Sequence, residues 1–577
     1  MKKFRWILLC AALLAAALFA LWRLPALFAP SVPAVLTYTP PDDETVSAVR
    51  AAVQDRFGSD GVVYLLPDCE IDAVSLEYRP LSDPNLGGAR WVLLRSDSSV
   101  SSLFLYSVRW DSFTEITDQS ENGFDPSLGK SLTDCATSHG CTPLFLLSIG
   151  QRWLVSRDAD GALVPVTGGG ALFDEQDAVP EAISQLNSMY FDEIYHGRTG
   201  YEQLHRLPVY ETTHPPLGKD FIMLGIALFG MTAFGWRFAG TLFGVLLVPL
   251  AWCFVRRLTR RPWAAAMAGV LLALDFMRFS QSRLATIDIY GTFFILLGAY
   301  FMLWYCQQVL TVGVNGAVLP MFLGGLAFGL GCASKWTGIY AGAGLAVLYL
   351  GVLYARWRQG KPGFAQEFRT AFLGGVVFYV VMPLCIYIAS YLPYWWRDHS
   401  FGLADWWRCQ VSMYNYHSTL EATHPFESRW YTWLLGLRPV WYYRNGYLPA
   451  GLKASIAGMA GPVIWLGGLA ALLWLLWRQV SGRGTRAGAG VLLLYGTQLI
   501  PWMLVTRCTF LYHYFPSSMF CLAALSLVLA MAKDQRRARR LGAALCAAAL
   551  VLFVWYYPAL SGLPTAAWHA DLLNILP

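Results

Sequence analysis

Charged residues are scarce in this sequence of 577 residues, because Asp, Glu, Lys and Arg make up only 14% of it while 56% of the residues are hydrophobic. Soluble chains usually carry about 25% charged residues. A deficit of this size over so long a chain excludes an ordinary soluble protein and indicates a polytopic membrane protein. The net charge of +6 is divided among basic clusters that alternate with apolar runs, which argues against a nucleic-acid-binding face and against nucleic-acid partners.

Motifs for nucleotide chemistry are missing as well. The sequence contains no P-loop, no Rossmann-type glycine motif and no sugar-nucleotide signature, and no Cys and His spacing resembles a zinc site. These absences argue against a donor that is handled as a nucleotide in the cytosol. We expect no cofactor and no tightly bound metal, although Asp192, Glu193 and Asp288 could supply oxygen ligands to a divalent ion.

Most of the 12 cysteines lie inside apolar runs, where Cys packs as a small hydrophobic residue. Cys69, Cys135 and Cys141 lie in a polar segment instead. A Cys135–Cys141 disulfide is one possibility if that compartment is oxidising, but the sequence alone leaves the pairing open.

Apolar runs long enough to cross a bilayer, for which about 20 residues are needed, begin at the N-terminus. Residues 1–29 are predicted to form a retained first span, with a cleaved signal peptide as the alternative. Ten further spans are predicted at 236–255, 263–280, 289–305, 319–333, 338–354, 371–391, 456–477, 490–505, 514–532 and 541–557. The fold class is therefore a polytopic α-helical membrane protein with about eleven transmembrane helices, in two groups at 236–391 and 456–557.

Residues 30–188 form the longest polar segment, and they follow the first span directly. Short β-rich runs at 61–66, 90–94, 102–108 and 143–148, with a possible helix at 44–57, predict a small α+β domain. The next segment, 189–235, is predicted to be an outer loop with juxtamembrane helices, because a crossing at 221–234 would invert every later basic loop.

The positive-inside rule orients this arrangement. Basic clusters such as 256–261 and 533–540 mark cytoplasmic loops, and the N-terminus is predicted to be cytoplasmic. The inserted domain, the 189–235 loop, the 392–455 loop and the tail at 558–577 then lie outside the cell. The segments that carry acids, histidines and aromatic residues, including 507–516, fall on this outer side, so we expect the chemistry to face outward.

Two polar motifs open the 189–235 loop. The adjacent carboxylates Asp192 and Glu193 repel each other, which can raise one pKa and suit a general base, although a solvated acidic pair is the commoner explanation. His214 and Lys219 flank a Pro-Pro turn before a short helix that is predicted to begin at Leu217, and they could contact an anion or simply cap the helix.

Cations near the ends of spans could bind a phosphate. Arg237, Arg283, Lys335 and Arg438 are the candidates, and Arg283 could instead close its turn by pairing with Asp288. Further residues that could shape the site are His417, His424, Glu427 and His513, each of which could equally be an interfacial residue.

In chain order the sequence carries FDE (191–193), HPPLGK (214–219), WRF (236–238), QSR (281–283) with Asp288, SKWTG (334–338), YHSTL (416–420), HPFES (424–428), LRPVWYY (437–443) and TFLYHYFP (509–516). In this order the motifs resemble the protein O-mannosyltransferase family of GT-C glycosyltransferases. The resemblance covers the first span and about 189–532. It implies transfer of mannose, with inversion, from a polyprenyl phosphate to Ser or Thr of an exported protein, with Asp192 as the base, Glu193 beside it and Arg237 as the essential arginine.

Two departures from the family pattern affect this interpretation. The domain at 30–188 is not part of the usual first loop, and the 392–455 loop has no room for the sugar-binding repeat domain of eukaryotic members, as in bacterial-type members. A lipid or cell-wall polymer is therefore an alternative acceptor. A polyprenyl-phosphate transporter is a further alternative, but it would be expected to place its charges near mid-membrane. The expected partners are the polyprenyl-phosphate sugar donor, the outer-face acceptor and membrane lipids, with the secretion machinery as a further candidate.

Overall fold

A computed structural model describes residues 184–574, except 187, 361, 446, 447, 449 and 450, together with the backbone of eight strands between residues 62 and 165. The chain divides into two compact units, one of Phe28–Pro180 and one of Met1–Leu27 with Glu181–Pro577. The predicted first span, the helix at 44–57, the β-rich run at 143–148 and the Cys135–Cys141 pair lie outside the described residues.

The smaller unit contains short antiparallel strands. They are β1 (Val62–Leu66), β2 (Cys69–Asp72), β3 (Glu77–Pro80), β4 (Trp91–Ser96), β5 (Ser101–Ser107), β6 (Ser112–Ile116), β7 (Val155–Arg157) and β8 (Leu163–Pro165). A four-stranded sheet has the order β1-β4-β5-β6, while β2 pairs with β3 and β7 with β8. Three predicted β-rich runs coincide with β1, β4 and β5. Four-residue connections at 97–100 and 108–111 allow β4, β5 and β6 to pair as successive hairpins.

The larger unit is helical. Its helices are α1 (Glu193–Leu204), α2 (Leu217–Phe229), α3 (Ala233–Thr259), α4 (Pro262–Ala273), α5 (Phe276–Ser282), α6 (Asp288–Val312), α7 (Val318–Ser334), α8 (Gly338–Trp357), α9 (Phe364–Val376), α10 (Met382–Ala389), α11 (Leu392–Arg397), α12 (Leu403–Thr419), α13 (Trp430–Trp433), α14 (Pro462–Val480), α15 (Arg486–Met503), α16 (Phe515–Ala530), α17 (Gln535–Ser561) and α18 (Ala567–Asn574). Strands β9 (Val440–Arg444) and β11 (Ser455–Gly458) pair antiparallel, as do β10 (Leu452–Lys453) and β12 (Thr565–Ala566).

Eight helical segments of the described chain are long and apolar enough to cross a membrane. They are Ala233–Thr259, Asp288–Val312, Asn315–Ser334, Gly338–Trp357, Phe364–Arg397, Pro462–Val480, Leu511–Ala530 and Gln535–Ser561, and the bent pair α4–α5 would make a ninth. The protein is therefore polytopic and helical, but the count of eleven is not confirmed. The predicted span at 490–505 forms α15, which is not among the eight.

Two predicted boundaries were wrong. The run at 263–280 is not one straight helix, because the Asp275 carboxylate accepts the Arg278 N–H at 2.9 Å and caps a new helix that is bent by 57° from α4. The span predicted from 456 begins instead at Pro462, because Ser455–Gly458 pairs with β9 as a strand and Gly461 precedes the proline that opens α14.

Close backbone contacts fix the helices around the site. A Cβ at Gly225 of α2 would lie 2.4 Å from the Gly235 carbonyl oxygen of α3, so α2 and α3 cross where neither carries a side chain. Helix α16 is apolar on all sides and nearly all of its residues are buried, which is typical of a helix at the centre of a bundle. This packing holds the starts of α3 and α6 and the end of α7 near the turn that precedes α1.

Candidate functional site

The turn before α1 has an unusual backbone. Phe191 has φ of 55°, a left-handed conformation that costs a non-glycine residue about 1 kcal/mol or more. Its ring packs against Tyr442 and Tyr512, with centroids 4.6 and 5.9 Å away, and these contacts hold the turn. Asp192 then occupies the N-cap position of α1, and Glu193 is its first helical residue.

Asp192 has a carboxylate without a hydrogen bond from any described residue, and the residue is partly exposed. Burial raises the pKa of Asp192 to about 7, and the nearby Asp288 charge acts in the same direction while Lys335 opposes it. A carboxylate with a pKa near neutral and unoccupied oxygens suits a general base. Asp288 and Lys335 are close enough to Asp192 to change its pKa, so the three charged groups belong to one site.

Glu193 serves a different purpose from its neighbour. It is fully buried, and its two oxygens accept hydrogen bonds from Nε and Nη2 of Arg237, each at 2.7 Å. One of them also accepts the Ala285 N–H at 2.9 Å. The Arg237 guanidinium further donates to the carbonyl oxygens of Gln185 at 2.5 Å and Ser188 at 2.9 Å. Glu193 and Arg237 thus tie the turn that carries Asp192 to α3 and to the loop after α5.

Asp288 and Lys335 form a second buried ion pair. Lys335 at the end of α7 donates to Asp288 at the start of α6 at 2.5 Å, and both side chains are only 9% exposed. The alternative in which Arg283 pairs with Asp288 was wrong. The guanidinium of Arg283 instead donates to the carbonyl oxygens of Leu560 and Ser561, both at 3.3 Å.

Glu211 and Lys219 form a third buried ion pair, next to His214. The Lys219 ammonium donates to the Glu211 carboxylate at 2.6 Å and to the carbonyl oxygens of Glu211 at 2.9 Å and His214 at 3.0 Å, which uses all three of its protons. Burial acts to raise the pKa of Glu211, but Lys219 holds it well below its usual range. His214 stacks on His417 at 5.1 Å, and His417 bonds the Thr213 carbonyl oxygen at 2.8 Å.

Replacing Lys219 with methionine should lower the melting temperature strongly. The Glu211 carboxylate would be left buried without its cation, a change that typically costs about 3–5 kcal/mol. Tryptophan fluorescence during heating of the detergent-solubilised protein measures the effect. Lys453→Met is the matched control, because Lys453 and its partner Asp571 are about half exposed and should contribute little. Equal shifts in the two variants would contradict the assignment.

Other predicted residues lie in the loops around this centre. Arg438 is exposed and donates to the Glu427 carbonyl oxygen at 3.3 Å, and the Glu427 side chain lies beside the Cys508 thiol. His424 accepts the Phe426 N–H at 3.1 Å. His513 packs against Trp502, with centroids 4.4 Å apart. The roles that the sequence assigned to these residues, and to Asp192, Glu193, Arg237, Arg283, Lys335, His214, Lys219, Asp288 and His417, stay predictions.

Arg507 belongs to the same surroundings and was not among the predicted site residues. Its charge acts on Tyr416 and His417 of α12. The sequence signal that could have pointed to it is an arginine between α15 and the TFLYHYFP motif, with no acidic residue near it in the chain.

No metal site is evident in the part of the chain that the structure describes, where no three His, Cys, Asp or Glu side chains are grouped to hold an ion. The expectation of metal-free activity stays a prediction, to be tested with chelators.

Comparisons with known proteins identify the family. Residues 229–397 match the model of dolichyl-phosphate-mannose-protein mannosyltransferases, and residues 402–576 match the model of the C-terminal four-transmembrane region of protein O-mannosyltransferases. The chain belongs to the protein O-mannosyltransferase family. These matches confirm the resemblance that the sequence motifs indicated.

Relatives of the family match most of the chain. The polyprenol-phosphate-mannose–protein mannosyltransferase of Mycobacterium tuberculosis is 29% identical over 462 residues, covering 70% of this chain and 86% of that protein. That of Mycolicibacterium smegmatis is 28% identical over 473 residues, covering 72% and 88%. The structure of the S. cerevisiae protein O-mannosyltransferase Pmt1-Pmt2 complex bound to the sugar donor superposes with a TM-score of 0.60 at 13% identity, covering 74% of this chain and 95% of that chain. This likeness supports the GT-C fold.

Proposed function

We propose that the protein transfers mannose from a polyprenyl phosphate to the hydroxyl group of Ser or Thr in exported proteins. The observation that carries the proposal is the Asp192 carboxylate, which has no hydrogen bond from the described residues and a pKa of about 7. Family membership and the activities named for the mycobacterial relatives supply the donor and the acceptor class.

The transfer step uses Asp192 as the base. Asp192 takes the proton of the acceptor hydroxyl as its oxygen bonds to the anomeric carbon, and the bond from that carbon to the phosphate oxygen breaks. Attack from the side opposite the leaving phosphate inverts the anomeric centre, through a cation-like sugar as in other glycosyl chemistry. The donor phosphate begins with one negative charge and leaves as a monoester with two, so the charge lost by Asp192 appears on the phosphate.

Arg237 and Glu193 act in this proposal by holding the Asp192 turn in place. Four of the N–H groups of Arg237 already donate to Glu193, Gln185 and Ser188. The Lys335–Asp288 ion pair lies next to the base, where Asp288 raises the pKa of Asp192 and Lys335 partly offsets that effect. These are positioning and electrostatic roles, in place of the direct phosphate contacts predicted from the sequence.

The orientation belongs to the same proposal. The apolar runs give eleven spans. The positive-inside rule then places the N-terminus in the cytoplasm, and it places the inserted domain, the site loops and the C-terminus on the outer side. In this arrangement the smaller unit is on the outer side of the membrane, where exported acceptors arrive. They are suited to select an acceptor, and contact with the secretion machinery would be one way to receive exported chains.

A single assay tests the activity and its acceptor. Membranes that contain the protein are supplied with radiolabelled polyprenyl-phosphate mannose and a Ser/Thr-rich peptide, with polyprenyl-phosphate glucose as a second donor. Label released from the peptide by β-elimination supports the proposal. Label found only in extractable lipid or cell-wall polymer would show the alternative acceptor, and no label in any fraction would exclude transfer from this donor.

Activity should also depend on pH through Asp192. The base works only when ionised, so kcat/KM should fall about tenfold per pH unit below pH 7 and level off above it. Initial rates between pH 5 and 9 at low donor concentration measure this fall of kcat/KM. A rate that stays constant down to pH 5, as for an aspartate with an ordinary pKa of about 4, would contradict the perturbed environment.

A further inference from the structure

Three cations near Asp192 are already neutralised by protein carboxylates. Arg237 pairs with Glu193 at 2.7 Å, Lys335 with Asp288 at 2.5 Å, and Lys219 with Glu211 at 2.6 Å. A cation held in such a pair has little charge left to offer to a ligand. The phosphate of a lipid-linked donor therefore needs another receptor.

Arg507 differs from these three cations. It is partly buried, and no carboxylate of the described residues lies within ion-pair distance of its guanidinium. Its hydrogen bond from Nη1 goes to the neighbouring Cys508 carbonyl oxygen at 3.2 Å. A guanidinium carries five N–H donors, so most of its capacity is unused. Arg507 lies in the loop between α15 and α16, and its remaining N–H groups are available to an anion.

The backbone on both sides of Arg507 is fixed. Arg429 donates to the Thr506 carbonyl oxygen at 2.6 Å. On the other side, the Ser428 N–H donates to the Thr509 carbonyl oxygen at 2.7 Å, and the Thr509 hydroxyl donates back to the Ser428 carbonyl oxygen at 2.7 Å. The loop is thus held in place while no carboxylate of the described chain pairs with its arginine. This arrangement favours binding because little order remains to be imposed.

Arg507 also lies within electrostatic reach of the base. Burial raises the pKa of the Tyr416 phenol, Asp192 raises it further, and Arg507 lowers it. Burial lowers the pKa of the adjacent His417, and the Arg507 charge lowers it further. Arg507 and Asp192 therefore both act on Tyr416. The geometry agrees, because Tyr512 of the TFLYHYFP motif that follows Arg507 packs against Phe191, the residue before Asp192, with ring centroids 5.9 Å apart.

We propose that Arg507 binds the phosphate of the sugar donor and holds it as it leaves. The inference rests on the proposed function. A guanidinium matches the geometry of phosphate oxygens with two parallel N–H groups, and the attraction grows as the phosphate charge changes from one to two. Arg507 is then a catalytic residue that stabilises the leaving group, opposite in charge to the base.

Binding of the phosphate can be measured apart from the reaction. A short-chain polyprenyl phosphate and the matching uncharged polyprenol are titrated into the purified protein in nanodiscs of zwitterionic lipid. The variants are Arg507→Gln, Arg507→Lys and Arg444→Gln, the last being a matched control at an exposed arginine that lies over Trp441. Melting temperatures establish that each variant is folded.

We expect Arg507→Gln to weaken polyprenyl phosphate binding by a factor of about 10–100, the loss expected for a charge-assisted pair, and to leave polyprenol binding unchanged. Arg507→Lys should recover part of the difference, and Arg444→Gln should match the wild type. In the transfer assay Arg507→Gln should reduce kcat by about 10²–10³-fold, as for removal of one donor to a developing anion.

The outcomes separate this inference from the proposed function. If the wild type transfers mannose and Arg507→Gln keeps the full preference for polyprenyl phosphate over polyprenol, Arg507 is not the phosphate receptor, although the enzyme assignment stands. If the wild type transfers no sugar, the proposed function fails first. If adding phosphatidylglycerol to the nanodiscs, but not inorganic phosphate, competes equally well with polyprenyl phosphate, the site binds a structural lipid headgroup and the inference is overturned.

Discussion

Replacing Asp192 with asparagine should reduce kcat/KM for mannosyl transfer by about 10²–10⁴-fold, the range expected when a general base is removed. The substitution keeps the size of the side chain and its N-cap position, so α1 should still form. Because the carboxylate makes no hydrogen bond with described residues, its loss should not lower the melting temperature.

Initial rates with labelled donor and peptide measure the effect, alongside donor binding. Binding of polyprenyl phosphate should stay within a few-fold of the wild type, because Asp192 acts on the acceptor hydroxyl. Asp398→Asn is the matched control, as Asp398 is an exposed acid on the 392–455 loop that binds Ser400. Transfer by Asp192→Asn at more than a tenth of the wild-type rate would remove the residue from the role of base.

Breaking the Glu193–Arg237 pair should have the largest combined effect on stability and activity. Removing one partner of a buried, bidentate pair costs about 3–5 kcal/mol, because the other charge stays buried alone. The turn at Phe191 is strained and depends on these contacts, so Asp192 should also lose its position. We expect Glu193→Gln and Arg237→Gln each to lower both the melting temperature and kcat/KM.

A double-mutant cycle distinguishes positioning from direct donor contact. If the pair acts only on the Asp192 turn, the double variant should be little worse than either single variant, and the two single variants should show similar KM values for the donor. A donor KM that rises in Arg237→Gln but not in Glu193→Gln would instead indicate that Arg237 contacts the phosphate. Leu186→Ala, at an exposed position between the two anchored carbonyls, serves as a control.

Hydropathy predicted most of the helical architecture because a span is a local property of about 20 residues. It failed at Asp275 and at Ser455–Gly458, where one capping carboxylate and one strand pairing override an apolar average. The start of the short helix at Leu217 was predicted correctly, since proline fixes the backbone before it.

The candidate site was harder to predict than the spans. Asp192 became a candidate because two adjacent carboxylates are visible in the chain, and its role stays a prediction. The partners were not, because Arg237 lies 44 residues from Glu193 and Lys335 lies 47 residues from Asp288. Proximity along the sequence suggested the wrong pair for Arg283. Arg507 was overlooked because its distinguishing property is that no described carboxylate pairs with it, which only three-dimensional packing reveals.

The contacts of Arg237 with Gln185 and Ser188 also bear on how such proteins diversify. These two carbonyl groups anchor the chain to Arg237 immediately before the turn that carries Asp192. Segments that come earlier in the sequence can then be exchanged or enlarged without shifting Asp192. Residues 185–188 are therefore a suitable fusion point, at which evolution or protein engineering can change the preceding domain, and with it acceptor selection, while the position of Asp192 is kept.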